Sequence, residues 1–166
     1  MIGIAMLLSS SALSLAGCAS TGVSYVHPGV DFAYIRRCAV LPFQNLTNDN
    51  LADERMRSLF LMELLSDGVL EVTSPGEADA AVLAQRISLE AALTPDQIVS
   101  LGKQLSVEAV FFGTIEEYGP SRLGRTPTNE VTAVFGMAET QTGVVIWQAQ
   151  VHLGGTSVWR KLFGGD

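Results

Sequence analysis

An α/β fold is predicted for this chain, with helices packed on a single mixed β-sheet whose C-terminal strands form an antiparallel meander. Two observations predict it. An apolar run is followed by an amphipathic helical pattern in the first half, which is typical of strands alternating with helices. The second half ends in three strand-like runs separated by turn residues, which indicates neighbouring antiparallel strands.

Size and charge limit the functions open to the chain. Its 166 residues are enough for one domain with one hydrophobic core after a leader is removed. The formal net charge is −7, and residues 1–17 contribute nothing to it because they contain no ionisable side chain. Nucleic-acid binding requires clustered Lys and Arg, so this acidic composition argues against a nucleic-acid partner.

Residues 1–17 form an apolar, serine-containing stretch that is typical of a cleaved signal peptide and too short for a membrane-spanning helix. The stretch ends in Leu15, Ala16 and Gly17, followed by Cys18, and this run resembles the lipobox of bacterial lipoproteins. The small residues let the lipoprotein signal peptidase close on the backbone, and the cysteine thiol is the nucleophile that takes the diacylglycerol. The alternatives are a plain secretory signal with a chance cysteine, or an uncleaved anchor.

The residues flanking the leader carry information about its processing. No Lys or Arg opens it, so we expect that a mis-assigned start codon has trimmed a basic region. Ala19 and Ser20 follow the cysteine, and their resemblance to the sorting pattern of lipoproteins predicts the periplasmic face of the outer membrane. Two or more acyl chains attach a protein stably, because each buried methylene contributes about 0.8 kcal/mol.

The mature chain is predicted to have three parts. Residues 18–34 contain Gly and Pro without a period and predict a lipidated N-terminus and a tether. An α/β periplasmic domain is predicted over 35–153 and a C-terminal tail over 154–166. With Cys18 carrying lipid, Cys38 has no disulfide partner, and its place in the apolar run CAVLPF favours burial in a strand over a reactive thiol.

The first half of the domain alternates strand and helix patterns. Residues 37–43 predict a buried strand. Asn48 or Asp49 is expected to cap a helix with an apolar stripe, and this helix is expected to end at Gly68. A second short strand is predicted over 69–72.

The second half of the domain predicts a helix and three strands. Residues 77–92 are alanine-rich, and their pattern fits either a strand or a short helix. The sequence TPDQ beginning at Thr94 predicts a helix start with a capping box and Pro at the first position. Strands are predicted over 107–117, 129–139 and 144–151, the last two joined by a tight connection.

Two segments contain candidate partner-contact residues. The Gly- and Pro-rich loop 119–128 places Arg122 and Arg125 on an acidic domain, where they either contact a partner or are simply solvated. In the tail, Trp159 lies among apolar and basic residues. That pattern fits an amphipathic turn facing a membrane or a partner, and equally a packed or frayed C-terminus.

The sequence contains no catalytic constellation that stands out. It has no G-x-S-x-G elbow, no phosphate-binding loop, no H-E-x-x-H motif and no paired cysteines. His27 and His152 have no sequence reason to meet, and Glu116 and Glu117 are strand neighbours that should point to opposite faces. We therefore predict no enzyme, no cofactor and no metal site, the alternative being an enzyme that uses His152 with a carboxylate.

Three segments together resemble a known family: RRCAVLPFQNLTND, LTPDQIVSLGKQLSVEAVFFGTIEEYG and MAETQTGVVIWQA. They are similar to the CsgG-like group of outer-membrane lipoproteins, which is related to the N-terminal domain of TolB and includes relatives of LpoB and PelC. The resemblance covers roughly residues 35–153. It implies a periplasmic α/β domain without catalytic activity that assembles into a homo-oligomeric ring or binds a partner.

These observations lead to one main functional hypothesis. The chain is expected to be a non-catalytic, lipid-anchored lipoprotein that assembles or regulates envelope machinery, with an envelope protein or a polysaccharide as partner. The pathways that fit are polysaccharide export, secretion and cell-wall synthesis. The alternative is a periplasmic ligand-binding module in which Arg122 and Arg125 contact an anionic group.

Overall fold

The computed structural model describes residues 23–121 and 128–154. Within these ranges the chain forms one seven-stranded sheet with three α-helices packed on it. The predicted α/β class is confirmed. Among the same residues, no helix has the length and apolar character needed to cross a membrane.

The elements follow one another in a mixed order of strands and helices. They are β1 (Val23–Val26), a 3₁₀ turn (Phe32–Tyr34), β2 (Arg37–Val40), β3 (Gln44–Asn45), α1 (Ala52–Asp67), β4 (Glu71–Val72), α2 (Pro75–Ala84), α3 (Pro95–Leu105), β5 (Ala109–Ser121), β6 (Thr128–Glu139) and β7 (Val145–Gly154). The strand order is β1-β7-β6-β5-β2-β4, and β3 also pairs with β5.

The sheet combines a parallel and an antiparallel part. β2 pairs in parallel with β4 and β5, and β3 pairs in parallel with β5. β5, β6, β7 and β1 pair antiparallel in that spatial order. The predicted C-terminal meander is therefore present, and the parallel strands connected through α1 and through α2 and α3 make the sheet mixed.

Helices cover both faces of the sheet. On one face, α1 packs Met56 against a cluster that includes Phe111 and Phe135, and we call this side the α1 face. On the other side, α2 and α3 pack Ala81 and Leu101 around Val110, and we call this side the α2–α3 face. Successive residues of a strand point to opposite faces, so the apolar run in β5 supplies both cores.

The predicted tether over 18–34 is corrected by the structure. Val23–Val26 form β1, which pairs antiparallel with β7 at the edge of the sheet, and the backbone N–H of His27 also bonds to Ile146. Phe32–Tyr34 form a 3₁₀ turn capped by Asp31. The sequence does not indicate this strand because four residues are too few for a period, and pairing with the distant β7 decides their conformation.

The start of α1 differs from the prediction, whereas the end of α1 and the start of α3 agree with it. The residue before α1 is Leu51, without a side-chain cap bond, and Asp49 instead accepts from the N–H of Leu51. Gly68 ends α1 in the left-handed conformation, as predicted. The capping box at Thr94 is confirmed, with the side chains of Thr94 and Gln97 each bonding the other's backbone N–H.

The structure assigns part of the segment 77–92, whose secondary structure the sequence left open, and changes the bounds of the predicted loop 119–128. The first half of 77–92 belongs to α2, which begins after the Ser74 cap with Pro75 at its first position. The predicted loop 119–128 is shorter than expected, because β5 continues to Ser121 and β6 begins at Thr128.

Candidate functional site

The sequence-predicted site residues lie outside the part of the chain that the structure describes. This holds for the lipobox residues Leu15, Ala16, Gly17 and Cys18 and for the candidate contact residues Arg122, Arg125 and Trp159. Their roles remain predictions. The candidate site below is therefore built from residues 23–121 and 128–154.

A cleft of about 600 Å³ opens on the α2–α3 face of the sheet, and we call it the sheet cleft. Its floor comes from four adjacent strands, with Tyr25 of β1, Gln148 of β7, Val134 of β6 and Phe112 of β5. Its wall is the segment 89–93 that leads into α3. The cleft exists because α3 packs on β5 and β6, which leaves β7 and β1 uncovered on this face.

The lining of the sheet cleft is mostly apolar and carries no Asp, Glu, Lys or Arg side chain among the residues described. Its polar groups are the phenol of Tyr25, the ring of His27, the amides of Gln44 and Gln148 and the hydroxyl of Thr114. Mostly apolar walls with a few polar groups are typical of small-molecule sites. The lining thus offers apolar surface together with a few hydrogen-bonding groups.

Hydrogen bonds join the floor of the sheet cleft to its wall. Thr114 on β5 donates its hydroxyl proton to Oε1 of Gln44 at 3.2 Å. The amide of Gln44 then donates to the backbone carbonyl of Glu90 at 3.4 Å. Gln44 therefore links β3 and β5 to the segment that forms the wall. Tyr25, His27 and Gln148 carry the other polar groups of the lining.

A glycine in β6 makes room for the aromatic floor. Phe112 and Gly136 are direct partners across β5 and β6. A Cβ atom at Gly136 would lie 2.4 Å from Cζ of Phe112, so a larger residue would push the ring into the cleft. Because Gly136 has no side chain, the ring of Phe112 lies close to β6 and leaves the space above it open.

A row of three polar side chains crosses the same face at its far end. The hydroxyl of Thr132 on β6 donates to Oε2 of Glu117 on β5 at 2.7 Å. The hydroxyl oxygen of Thr132 also lies 2.8 Å from Nδ1 of His152 on β7, within hydrogen-bond distance. Thr132 therefore joins Glu117 to His152 across three strands, and its side chain is buried.

A change of register interrupts β5 at the paired glutamates. Register between β5 and β6 shifts between Ile115 and Glu117, which marks a β-bulge at Glu116. A bulge interrupts strict alternation, so the simple argument that the two carboxylates take opposite faces does not apply here. Glu117 is directed to Thr132, and it meets His152 only through that hydroxyl.

Cys38, the second cysteine of the chain, is fully buried in β2. Burial, with a smaller contribution from the Glu108 carboxylate, raises the pKa of its thiol to about 11. Thiolate is the nucleophilic form, so this cysteine is unreactive at neutral pH. The predicted burial in a strand is confirmed.

Comparison with solved structures defines the fold group. The chain is similar to a PelC dodecamer from Paraburkholderia phytofirmans, with a TM-score of 0.58, 18% identity and coverage of 81% of both chains. It is similar to lipoprotein GNA1162 from Neisseria meningitidis, with a TM-score of 0.59, 18% identity, and coverage of 78% of this chain and 90% of that one.

A third similar structure is the LpoB C-terminal domain from Salmonella enterica, with a TM-score of 0.51, 16% identity, and coverage of 71% of this chain and 82% of that one. No protein-family model matches the sequence, and no curated protein matches it significantly. At these identities the comparisons establish a shared fold, that of the PelC and LpoB domains.

Sequence reasoning missed both the sheet cleft and the polar row. Tyr25 and His27 fall in the segment predicted as a tether, so they were not considered as lining residues. Thr132 was treated only as a strand residue, and its partners lie on different strands. One sequence signal could have helped. Side chains alternate between the two faces along β6 and β7, so once Thr132 is known to pair with His152, both must lie on the same face.

Proposed function

We propose that this chain is a lipoprotein anchored through Cys18 to the periplasmic face of the outer membrane, where it assembles or regulates envelope machinery without catalysing a reaction. The observation that carries the proposal is a lipobox, ending at Cys18, directly before a domain that shares its fold with lipoprotein GNA1162 and with PelC and LpoB. Membership of the CsgG-like group of outer-membrane lipoproteins is part of the same proposal.

Lipid attachment is tested by changing the cysteine. Cys18→Ser should leave the domain folded and release it from the membrane fraction, because no acyl chain is then added. Cys38→Ala is the matched control and should stay membrane-bound, since that thiol is buried. Mass spectrometry of the membrane-extracted protein should find the lipid on Cys18. Persistent membrane association of Cys18→Ser would overturn the proposal.

The membrane address is tested at the next position. Ala19→Asp should move the protein from the outer to the inner membrane, because the sorting pattern that Ala19 and Ser20 resemble excludes an aspartate there. Ser20→Ala is the control and should leave the distribution unchanged. Sucrose-gradient separation of the two membranes measures the result, and an unchanged distribution of Ala19→Asp would contradict the outer-membrane assignment.

A non-catalytic role is supported by the geometry of the polar row. Among the described residues, His152 meets the Glu117 carboxylate only through Thr132, whose side chain is buried. His152 also lies outside the lining of the sheet cleft. Crosslinking in intact cells, followed by identification of the captured proteins, should recover a component of polysaccharide export, secretion or cell-wall synthesis. Failure to recover any envelope component would count against this role.

A homo-oligomeric ring is the assembly we propose for this lipoprotein. Its support is the shared fold with PelC, which is a dodecamer in its crystal. Native mass spectrometry of the detergent-extracted, lipidated protein should show a closed oligomer. A strictly monomeric protein across the accessible concentration range would contradict the ring.

A second candidate function, a periplasmic ligand-binding module, is favoured by the sheet cleft. Its volume and mostly apolar lining suit a neutral polar molecule. We would titrate N-acetylglucosamine oligomers and uncharged peptides against the protein and follow the amide signals by NMR. Gln148→Ala should weaken any binding, whereas Gln150→Ala, two residues along β7 and outside the cleft, should not. Equal effects of the two variants would exclude the cleft.

A further inference from the structure

We propose that the outer edge of β1 is the docking site for an extended segment of a partner protein, which adds to the sheet as a further strand beside β1. The segment has an apolar side chain at every second position and no acidic residue. This inference rests on the proposed function, which gives the chain a partner in the envelope. It deepens that function by assigning the surface that binds and the kind of segment that is bound.

β1 is the last strand on one side of the sheet, and part of its backbone is directed away from its neighbour β7. The N–H of His27, the residue after β1, bonds to the carbonyl of Ile146 at 2.9 Å, in the register that pairs β1 with β7. Residues of an antiparallel pair alternate between bonded and non-bonded positions. Tyr25 therefore bonds to β7 as His27 does, whereas the N–H and C=O groups of Ser24 and Val26 point outward.

These outward groups are two donors and two acceptors in a row. Within residues 23–121 and 128–154, no backbone group bonds to them. Proteins usually protect a sheet edge with charged side chains, proline or a bulge. β1 contains no charged residue and no proline, and its pairing with β7 has no shift of register. Such an edge pairs with the backbone of an extended peptide, which a helix or a small molecule cannot replace.

The opposite edge of the described sheet differs from β1. It is formed by β4, which has only two residues. One of them, Glu71, forms an ion pair with Arg37 of the neighbouring β2 at 3.4 Å. A very short strand with a charged side chain discourages the addition of another strand. Of the two edges, β1 is therefore the one that suits a partner segment.

The side chains of β1 offer apolar surface on both faces of the edge. Tyr25 is 46% exposed and lines the sheet cleft. Val26 points to the α1 face, because successive residues of a strand alternate, and it is 52% exposed. An added strand alternates in the same way, so every second side chain of it lies beside Tyr25 at the mouth of the cleft. Apolar residues at those positions match the mostly apolar lining of the cleft.

The charge of the protein excludes acidic residues from the segment. The formal net charge of the chain is −7. On the α1 face, Glu63 lines an apolar groove of about 220 Å³ together with Trp147, which is the β7 partner of Val26. Carboxylates on an incoming segment are repelled by this charge, whereas Lys or Arg is attracted. The proposed segment is therefore neutral or basic.

The test uses a synthetic peptide in place of the partner segment. Valine and threonine alternate in it between two terminal lysines, and both ends are capped. The protein is the mature chain from Cys18 to Asp166 with the change Cys18→Ser, so that no lipid is added. Exchange of backbone amide hydrogens with solvent, measured by NMR, follows each hydrogen bond separately.

Strand addition predicts that the amides of Ser24 and Val26 exchange about tenfold more slowly, or slower still, with saturating peptide, because they then donate to the added strand. The amide of Tyr25 is the reference, since it donates to β7 and should exchange slowly with and without peptide. Unchanged exchange at Ser24 and Val26 would overturn the proposal.

Two altered peptides test the chemistry of the segment. N-methylation of every valine and threonine keeps the side chains and removes the backbone donors, so this peptide should give no protection. Equal protection by it would contradict pairing through the backbone. Exchanging the terminal lysines for glutamates should weaken binding several-fold at low salt and less at high salt. Equal binding of the two peptides would contradict the charge assigned to the segment.

Two variants at one position separate backbone from side chain. Val26→Pro removes an outward N–H, and it leaves the bonds of Tyr25 and His27 to β7 in place. It should weaken peptide binding several-fold. Val26→Thr is the matched control, because it keeps the N–H and a β-branched side chain, and it should bind as the parent does. Equal binding by the two variants, with Tyr25 still slow to exchange, would contradict docking at this edge.

Photo-crosslinking in intact cells identifies what occupies the edge. With a photo-reactive amino acid in place of Val26, we expect an adduct with an envelope protein, in a segment that has an apolar residue at every second position. An adduct only with a second copy of this chain, or only with residues 155–166 of the same chain, would overturn the partner segment. The absence of any adduct would overturn it as well.

Failure of this inference is distinguishable from failure of the proposed function. If the native protein carries no lipid on Cys18, the proposed function fails, while the exchange of Ser24 and Val26 still decides whether β1 accepts a further strand. If the lipid is present and the exchange is unchanged, strand addition fails and the lipoprotein proposal stands.

Discussion

Glu108, at the residue scale, couples the stability of the sheet to pH. Its carboxylate accepts hydrogen bonds from the backbone N–H groups of Arg37 at 2.6 Å and Arg36 at 3.2 Å, where the chain enters β2. The bond from Arg37 is the main cause that holds the pKa of this carboxyl below its usual value. Because the carboxyl has a lower pKa in the folded than in the unfolded state, where it is about 4.3, its ionised form stabilises the folded protein at pH values above 4.3. This stabilisation is lost as the pH falls through the pKa of the folded state.

We therefore predict that Glu108→Gln lowers stability at neutral pH by roughly 1 kcal/mol, because a charged acceptor is replaced by a neutral one. The difference between variant and wild type should shrink as the pH falls below about 4. Thermal unfolding followed by circular dichroism over a pH series measures this. Glu63→Gln, an exposed carboxylate within α1, is the control, and a pH-independent difference for Glu108→Gln would contradict the assignment.

Arg57 is the residue that connects three elements. Its Nη2 donates to the carbonyl of Val40 at the end of β2, at 2.7 Å, and its Nη1 pairs with Oδ1 of Asp79 on α2 at the same distance. Its side chain is only 12% exposed. Arg57→Met should lower the free energy of unfolding by about 2 kcal/mol, because the carbonyl loses a charged donor and Asp79 its partner.

The matched control for Arg57 is the neighbouring pair of Arg55 and Asp49, whose side chains are 48% and 33% exposed. Ion pairs in contact with solvent contribute little, so Arg55→Met should cost about 0.5 kcal/mol or less. Urea denaturation of both variants gives the comparison. Equal losses of unfolding free energy in the two variants would show that the contact of Arg57 with the end of β2 stabilises the domain no more than an exposed ion pair does.

At the scale of elements, helix α3 approaches the end of β6 through a glycine. A Cβ atom on Gly102 would lie 2.1 Å from Cβ of Thr140, a buried residue whose hydroxyl donates to the carbonyl of Val107. Helix propensity alone predicts that Gly102→Ala would stabilise α3 by about 1 kcal/mol. The close packing predicts the opposite, a loss of roughly 1–3 kcal/mol.

Gly76→Ala in α2 is the control for this prediction, since a Cβ atom there meets nothing within 4 Å. It should be neutral or slightly stabilising. Equilibrium unfolding of both variants distinguishes the two effects. A stabilising Gly102→Ala would show that α3 and Thr140 separate at little cost.

At the scale of the whole molecule, the chain has two cysteines, and the one that the structure describes, Cys38, is buried. In unlipidated mature protein we predict that Ellman's reagent modifies Cys18 rapidly and leaves Cys38 unmodified until the domain unfolds, because Cys38 is buried and its thiol pKa is raised to about 11. Cys18→Ser should show no fast reaction. Rapid modification of Cys38 in that variant would show that β2 opens readily in the folded state.

Much of the fold is predictable from local sequence because neighbouring residues decide it. The capping box at Thr94 and the stop at Gly68 depend on side chains within one turn. The strands over 107–117 and 129–139 are long and apolar enough for their type to be evident. Residues 77–92 were ambiguous because alanine suits both structures, and packing of α2 against β2 and α3 decides for the helix.

The candidate site was far less predictable. His152, Thr132 and Glu117 are separated in sequence by 20 and 15 positions and meet only because β5, β6 and β7 are neighbours in register. Tyr25 reaches the sheet cleft because β1 joins the far edge beside β7. No local pattern encodes such pairings, since they depend on which strands become neighbours.

By itself, the sequence determined the α/β class and the order of most elements, because each depends on residues adjacent along the chain or one helical turn apart. Only the tertiary structure decided that the segment before Phe32 contains a sheet strand, that helices cover both faces, and that one face is left open as the sheet cleft. Those features depend on hydrogen bonds and buried contacts between distant segments.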